Sequence, residues 1–432
     1  MLSEGTAKNR TTTPIGRSTR LRSARQSRCM MKRLVQLPFL ALSVAVAPTT
    51  AQEVSKPRDL APQLEELLVE SEVPGIGAAI VTSEGLIALG VAGVRERGSA
   101  ASLLPGDRFH VGSCTKPMTA TLLGLAVETQ KLAWDTKLSE ALPGLAENMD
   151  DAWNEVTLAQ VLAHSAGVPT HLRDHPELHE PYFSRTRPVR DTRREVVEGI
   201  LRSPPVSRPG KKFAYANLGY VTAGVILERL EQRPWEEIIR EQLFEPLGMA
   251  SAGFGGPDAP FFEDAPAPDT TEGPPQPRGH FESGKIAVGF DNTPVLGPAG
   301  TVHCTLADWA KFARLHLRGA RAEEGLLLEP QTMAVLHAPA PGTAHIRNWR
   351  RTEYGGGWVI TTRPWAKGEV LMHDGSNTAW FAQVWIAPED NFAVLVCCNQ
   401  GGAPGRKVTG AAVERLVANL AEWAPSLPEG DR

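Results

Sequence analysis

The sequence predicts an α+β protein in which an antiparallel sheet is formed by the N- and C-terminal segments, flanked by helices, with a mainly helical region inserted between them. Three observations lead to this reading: a β-hairpin pattern near the start, four strand-like runs near the end, and helical periodicity in the middle. No internal repeat is present.

The elements follow in order. After a Pro-containing linker, Ser55 to Pro62, the runs Gly75–Thr82 and Leu86–Val94 are joined by Ser83-Glu84-Gly85, a short Gly-containing hairpin loop. The next helix is expected from Thr115 to Gln130, with Met118, Leu122, Leu125 and Ala126 on one side. Three later helix starts carry capping-box patterns: Thr157 with Gln160, Thr192 with Glu195, and Thr305 with Asp308. A further helix spans about Leu218 to Leu230, and the Gly- and Pro-rich stretch Gly253 to Pro298 reads as a long irregular excursion. Strands are then expected at Gly357–Thr361, Val370–His373, Ala379–Ala387 and Phe392–Asn399, before an amphipathic helix from about Val408 to Trp423.

Composition narrows the class. Of 432 residues, 42% are hydrophobic and 22% charged, which excludes disorder over most of the length. The formal charge of −4 disfavours a nucleic-acid partner, yet it averages two unlike parts. Nine of the 45 Lys and Arg residues lie within the first 33 positions, beside one acid, Glu4, so the remainder carries 36 basic against 48 acidic residues. The basic stretch runs into an apolar segment, Leu34 to Ala47, shorter than the roughly 20 residues needed to span a bilayer. With small residues at Thr49 and Ala51, it reads as a secretory signal peptide over 31–51, cut after Ala51. Residues 1–30 are then an N-terminal extension or an over-extended start, and 52–432 a single exported domain with no membrane span. Its sheet part is expected at about 60–108 and 300–424, and its helical part at about 109–299. An exported chain permits disulfides among Cys114, Cys304, Cys397 and Cys398, although the last two sit in an apolar run suited to small core residues.

Three patterns can carry chemistry. In Ser113-Cys114-Thr115-Lys116, a helix start places residues i and i+3 on one face, so the lysine can reach the serine hydroxyl. The unsatisfied N–H groups there favour a developing oxyanion. Alone, the motif equally describes an N-cap serine and a solvated lysine. In Tyr215-Ala216-Asn217, a phenol near a lysine can serve as general base and an amide can orient a substrate; a core tyrosine and a helix cap fit as well. In His373-Asp374-Gly375-Ser376, glycine allows close backbone approach and the Ser376 N–H can donate to an oxyanion; Asp-Gly is also a common turn. A G-x-S-x-G elbow and an H-E-x-x-H zinc motif are absent from the sequence.

Taken together and in this order, the three motifs resemble the serine β-lactamase and penicillin-binding-protein superfamily. The nearest likeness is to its class C β-lactamase, esterase and D-aminopeptidase branch. Phe109-His110-Val111-Gly112, Leu162-Ala163-His164-Ser165-Ala166-Gly167 and Leu243-Phe244-Glu245-Pro246-Leu247-Gly248-Met249 also look like that branch, and the likeness spans roughly Leu60 to Ala424. The resemblance implies the β-lactamase/DD-peptidase-like fold and an acyl-enzyme route without metal or cofactor. It implies Ser113 as nucleophile, with Lys116 and Tyr215 sharing the base work. Asn217 would hold the substrate, and the N–H groups of Ser113 and Ser376 would form the oxyanion hole.

The chain departs from that pattern where relatives carry Lys-Thr-Gly, which receives a substrate carboxylate. His373 and Asp374 stand there, and an aspartate facing the site would repel such a substrate. Esters or amides without a carboxylate are therefore expected to be preferred over penicillins and peptides ending in D-Ala, unless Asp374 points away. β-Lactamase or D-amino-acid peptidase activity is the rival within enzymes, and a silent peptidoglycan-binding or sensor module the rival outside them. The partner is a small-molecule or peptide substrate. His171, His175 and His179, with His164 upstream, have spacings that suit zinc on a helix, but Pro176 interrupts it. Trp349, Trp358, Trp365 and Trp380 are candidates for an acyl pocket or for the core.

Overall fold

The computed structural model describes residues 56–260, 275–324, 326–347 and 350–423. The expected extension, signal peptide and Trp349 lie outside the described residues. Thirteen strands are described: β1 (Arg58–Asp59), β2 (Gly75–Val81), β3 (Leu86–Gly93), β4 (Arg108–His110), β5 (Gly253–Gly256), β6 (Ala259–Pro260), β7 (Val302–Thr305), β8 (His345–Arg347), β9 (Arg350–Gly355), β10 (Trp358–Thr362), β11 (Glu369–Gly375), β12 (Phe381–Ala387) and β13 (Phe392–Cys398). Nine form the main sheet, in the order β1-β3-β2-β13-β12-β11-β10-β9-β8. All its pairings are antiparallel except β1 with β3. β4, β7, β5 and β6 form a smaller sheet. This is the mixed α+β architecture the sequence predicts.

The main sheet is covered on both faces, and strand alternation sorts its side chains between two cores. Along β13, Ala393, Leu395 and Cys397 join the core containing Met118 and Phe312, from the helices Thr115–Glu128 and Leu306–Ala320. Val394, Val396 and Cys398 join the other, with Leu64 and Leu416 from the helices Ala61–Val69 and Gly402–Trp423. Cys397 and Cys398 thus point to opposite faces, and all four described cysteines are buried and free. Among the described residues, no helix is long and apolar enough to cross a membrane.

Local expectations fare unevenly. The hairpin and the helices at Thr115 and Asn217 fall within two residues of their expected bounds. Thr157 and Gln160 make a reciprocal capping box, with bonds of 3.3 and 3.1 Å. Thr305 caps its helix by accepting from the Asp308 N–H, while the Asp308 carboxylate turns to Ser251 instead. Thr192 is not a cap. Its helix begins at Val189 behind an extended Pro188, and the Thr192 hydroxyl donates back to the Val189 carbonyl. The Gly253–Pro298 excursion is not wholly irregular, because its first residues form β5 and pair with β7.

Candidate active site

The first motif is presented by the small sheet. β4 delivers Phe109 and His110 to a single 3-10 turn, Gly112–Cys114, which runs directly into the Thr115–Glu128 helix. The helical i, i+3 geometry is realised, and Lys116 Nζ lies 3.0 Å from Ser113 Oγ. The amine is fully buried and also bonds Asn217 Oδ1 at 2.8 Å and the Ala299 carbonyl at 2.7 Å. No carboxylate joins these partners. Burial therefore dominates and pushes the Lys116 pKa down to about 7. Such an amine is half neutral at physiological pH and can take a proton from the serine.

The second motif enters from the N-terminus of the Asn217–Glu231 helix. Tyr215 sits at the cleft mouth, its ring centroid 4.8 Å from Lys116 Nζ. What fixes it is His164, a role that neither its place in a resembling stretch nor its place upstream of the histidine cluster specified. His164 adopts φ 55°; its carbonyl accepts from the Ala214 N–H, its Nδ1 accepts from the Ala216 N–H, and its ring lies 4.4 Å from that of Tyr215. Accepting at Nδ1 places the ring proton on Nε2. Burial, then the nearby Lys116 charge, holds the His164 pKa well below its ordinary value. A buried neutral histidine thus holds the tyrosine segment on both sides of Tyr215.

The third motif closes the cleft from the end of β11. β10 pairs with β11 only as far as Met372, so His373–Gly375 pair with β12 alone and leave a strand edge along the cleft. Two glycines let this edge meet the serine turn. A Cβ on Gly375 would lie 1.8 Å from the Val111 carbonyl oxygen, and one on Gly112, at φ +52°, would lie 2.3 Å from Ser376 N. The backbone at Ser113 and Ser376 is thereby brought side by side, while the Ser376 hydroxyl turns away to the Trp380 carbonyl at 2.7 Å.

His373 and Asp374 take opposite faces. The His373 ring is buried, with Nδ1 2.6 Å from the Asp374 carbonyl and Nε2 3.0 Å from the Tyr354 hydroxyl. The carbonyl can only accept, so Nδ1 donates to it, while Nε2 shares a proton with the Tyr354 hydroxyl. Asp374 turns toward the C-terminal helix and pairs with Arg406 at 3.0 Å, a guanidinium that also stacks 4.8 Å over Phe381. Its charge therefore meets the cleft rim as half of an ion pair rather than as a bare anion. The cleft encloses about 400 Å³ between Ser113, Tyr215, Phe213, His345, Phe381 and Arg406, with Phe213 and His345 stacked at 4.5 Å.

Other candidates are not brought to this site. Trp358 and Trp380 are core residues, and Trp365 packs edge-on against Trp385. Among the described residues no cluster of three or more His, Cys, Asp or Glu suits a metal ion. Pro176 starts a separate 3-10 turn, so the three histidines do not share one helix; His179 instead donates to the Leu172 carbonyl at 3.1 Å.

Fold and motif order define the class, a serine hydrolase. A Beta-lactamase family model matches residues 60–419, and the chain belongs to that family. It is 26% identical over 349 residues to Penicillin-binding protein 4 of Amycolatopsis lactamdurans, covering 79% of this chain and 84% of that protein. It is 25% identical over 385 residues to an unguisins hydrolase of Aspergillus campestris, spanning 66% of that longer protein. Among solved structures, the octameric penicillin-binding protein homologue from Pyrococcus abyssi superposes with a TM-score of 0.64 at 21% identity, covering 83% of this chain and 77% of that one. A D-stereospecific amidohydrolase from Streptomyces sp. superposes at 0.61 and 22% identity, covering 81% and 96%.

Proposed function

We propose that the chain is an exported acyl-transfer hydrolase acting on carboxylic esters or amides through Ser113. The observation that carries this reading is the buried Lys116 amine, 3.0 Å from Ser113 Oγ with its pKa lowered to about 7. Neutral Lys116 takes the hydroxyl proton as Oγ attacks the substrate carbonyl carbon. The oxyanion is received by the N–H groups of Ser113 and Ser376. The proton then passes, with Tyr215 as relay, to the departing alkoxide or amine. Water then attacks the acyl carbon as it gives a proton to the same base pair, the C–Oγ bond breaks, and that proton returns to Ser113 Oγ as the acid leaves. Asn217 holds Lys116 in place and faces the substrate amide or ester. A silent binding module would have no use for a desolvated lysine in contact with a serine.

The preference for substrates without a carboxylate is supported by the Asp374–Arg406 pair, since Asp374 competes with an incoming carboxylate for that cation. Amides of D-amino acids are the second reading, favoured by the relatives named above and by an acidic group at the rim that suits a substrate ammonium. Fluorophosphonate labelling of the wild type, lost in Ser113→Ala, tests the nucleophile. Ser113→Ala is expected to lower kcat by at least about a thousandfold. Side-by-side rates on p-nitrophenyl esters, D-amino-acid amides and a chromogenic cephalosporin test the substrate class. A cephalosporin kcat/KM above that of the esters overturns it.

A further inference from the structure

Both walls of the oxyanion hole are tied to one buried carboxylate. His110 is the last residue of β4, and its Nδ1 accepts from the Gly112 N–H at 3.0 Å. A backbone N–H can only donate, so the ring proton sits on Nε2, which lies 3.1 Å from Asp291 Oδ1 as a close polar contact without hydrogen-bond geometry. The same oxygen accepts from Asn377 Nδ2 and from the Asn292 N–H, each at 2.6 Å. Asn377 Oδ1 in turn accepts from the N–H groups of Ala379 and Trp380, at 3.1 and 3.0 Å. One tether therefore ends beside Ser113 and the other at the residue after Ser376. His110 is fully buried, Asn377 is 1% exposed and Asp291 5%.

Asp291 Oδ2 is buried with no hydrogen-bond partner among the described residues. Here two hydrogen-bond donors and the close-lying His110 ring converge on one carboxylate oxygen between the two walls. We propose that Asp291, acting through His110 and Asn377, is a positioning residue that fixes the separation of the two oxyanion-hole N–H groups. This rests on the acyl-enzyme reading above. Donors to a developing oxyanion act only within a few tenths of an ångström of their place, and a displacement of about 1 Å costs on the order of a hundredfold in rate.

The test compares Asp291→Ala and Asp291→Asn with the wild type. The Asn variant keeps an oxygen for the donors of both tethers and removes the charge. On a p-nitrophenyl ester, Asp291→Ala is expected to lower kcat on the order of a hundredfold with KM within about threefold. With a 13C=O-labelled ester, its acyl-enzyme carbonyl stretch shifts to higher frequency, a signature that loss of stability alone does not produce. Asp291→Asn restores kcat to within about tenfold of the wild type and returns the stretch. Should Asp291→Ala fail to fold, Asn377→Ala, which cuts one tether, is read in the same way and shows the same direction of shift. An unchanged carbonyl stretch, or an Asn variant as impaired as the Ala variant, overturns the proposal. Absence of fluorophosphonate labelling in the wild type overturns the acyl-enzyme reading and this one with it. Normal labelling with unimpaired Asp291→Ala turnover overturns the positioning role alone.

Discussion

Replacing Lys116 with methionine separates the lysine's cost to the fold from its service to the reaction. The wild-type amine has a folded pKa of about 7, against the ordinary lysine value of 10.5. Between those values the unfolded chain binds a proton that the folded chain does not, so stability rises with pH across the window. The contribution is complete above the unfolded pKa and is lost as pH falls through 7. The full displacement corresponds to a penalty on the order of 5 kcal/mol at low pH, of which about 2 to 3 kcal/mol is relieved between about pH 6 and pH 9. Methionine keeps the buried volume and has no proton to bind. It leaves the Ala299 carbonyl and Asn217 Oδ1 without this donor, an offset of about 1–3 kcal/mol each that does not vary with pH. The stability difference between wild type and Lys116→Met, from urea unfolding, should therefore shift toward the wild type by about 2 to 3 kcal/mol over that range. Wild-type kcat/KM on an ester should rise with pH through a midpoint near 7 as the amine becomes a base. A stability difference flat in pH, or activity that falls as pH rises through 7, refutes the assignment of Lys116 as the desolvated base.

Other outcomes follow from the same geometry. Gly375→Ala, whose Cβ would lie 1.8 Å from the Val111 carbonyl, should push β11 off the serine turn and lower kcat/KM on the order of a hundredfold, checked on protein whose circular dichroism is native. Asp374→Ala releases the half-exposed Arg406 and should raise kcat/KM for a carboxylate-bearing ester over its neutral analogue by about two- to fivefold, a small gain because solvent screens the rim. Arg193 is buried against Glu228 and Glu236 and also donates to the Val295 and Pro294 carbonyls. Arg193→Met strands two carboxylates, one already held above its usual pKa by burial, and should cost about 3–5 kcal/mol in chemical denaturation.

How much of this was legible in the sequence depends on whether the signal is local. The β2–β3 hairpin announces itself through two apolar runs and one loop, and Ser113 and Lys116 through a spacing that any helix converts into contact. The edge strands β8 and β9 escaped notice because His345–Arg347 and Arg350–Gly355 are mostly polar, without an apolar alternation to count. Thr192 misled because a threonine three places before a glutamate looks the same inside a helix as at its start. Asp374 stood beside His373 in sequence, and only strand alternation and the partner Arg406 decided where its charge goes. His110, Asp291 and Asn377 meet from three distant segments, and no spacing rule joins them. His164 lay within a quoted stretch, but its hold on the Tyr215 segment depends on a backbone turn that composition does not specify.

The placement of β13 between β2 and β12 has a consequence for how the protein comes into being. Gly77 pairs with Cys397 and Ala78 with Val396, so the middle of the sheet joins the first and last parts of the chain. Such contacts give a high contact order, and loop-closure entropy must be met before they form, which slows folding. During synthesis the N-terminal hairpin has no central partner until the final strand emerges, and the edge of β11 cannot reach Ser113 before then. Ser113, the proposed nucleophile, is translated early but acquires its opposing wall late. On the proposed reading, a nascent chain is expected to gain activity only once β13 has been made, and the onset of activity in a translation time course would mark closure of the sheet.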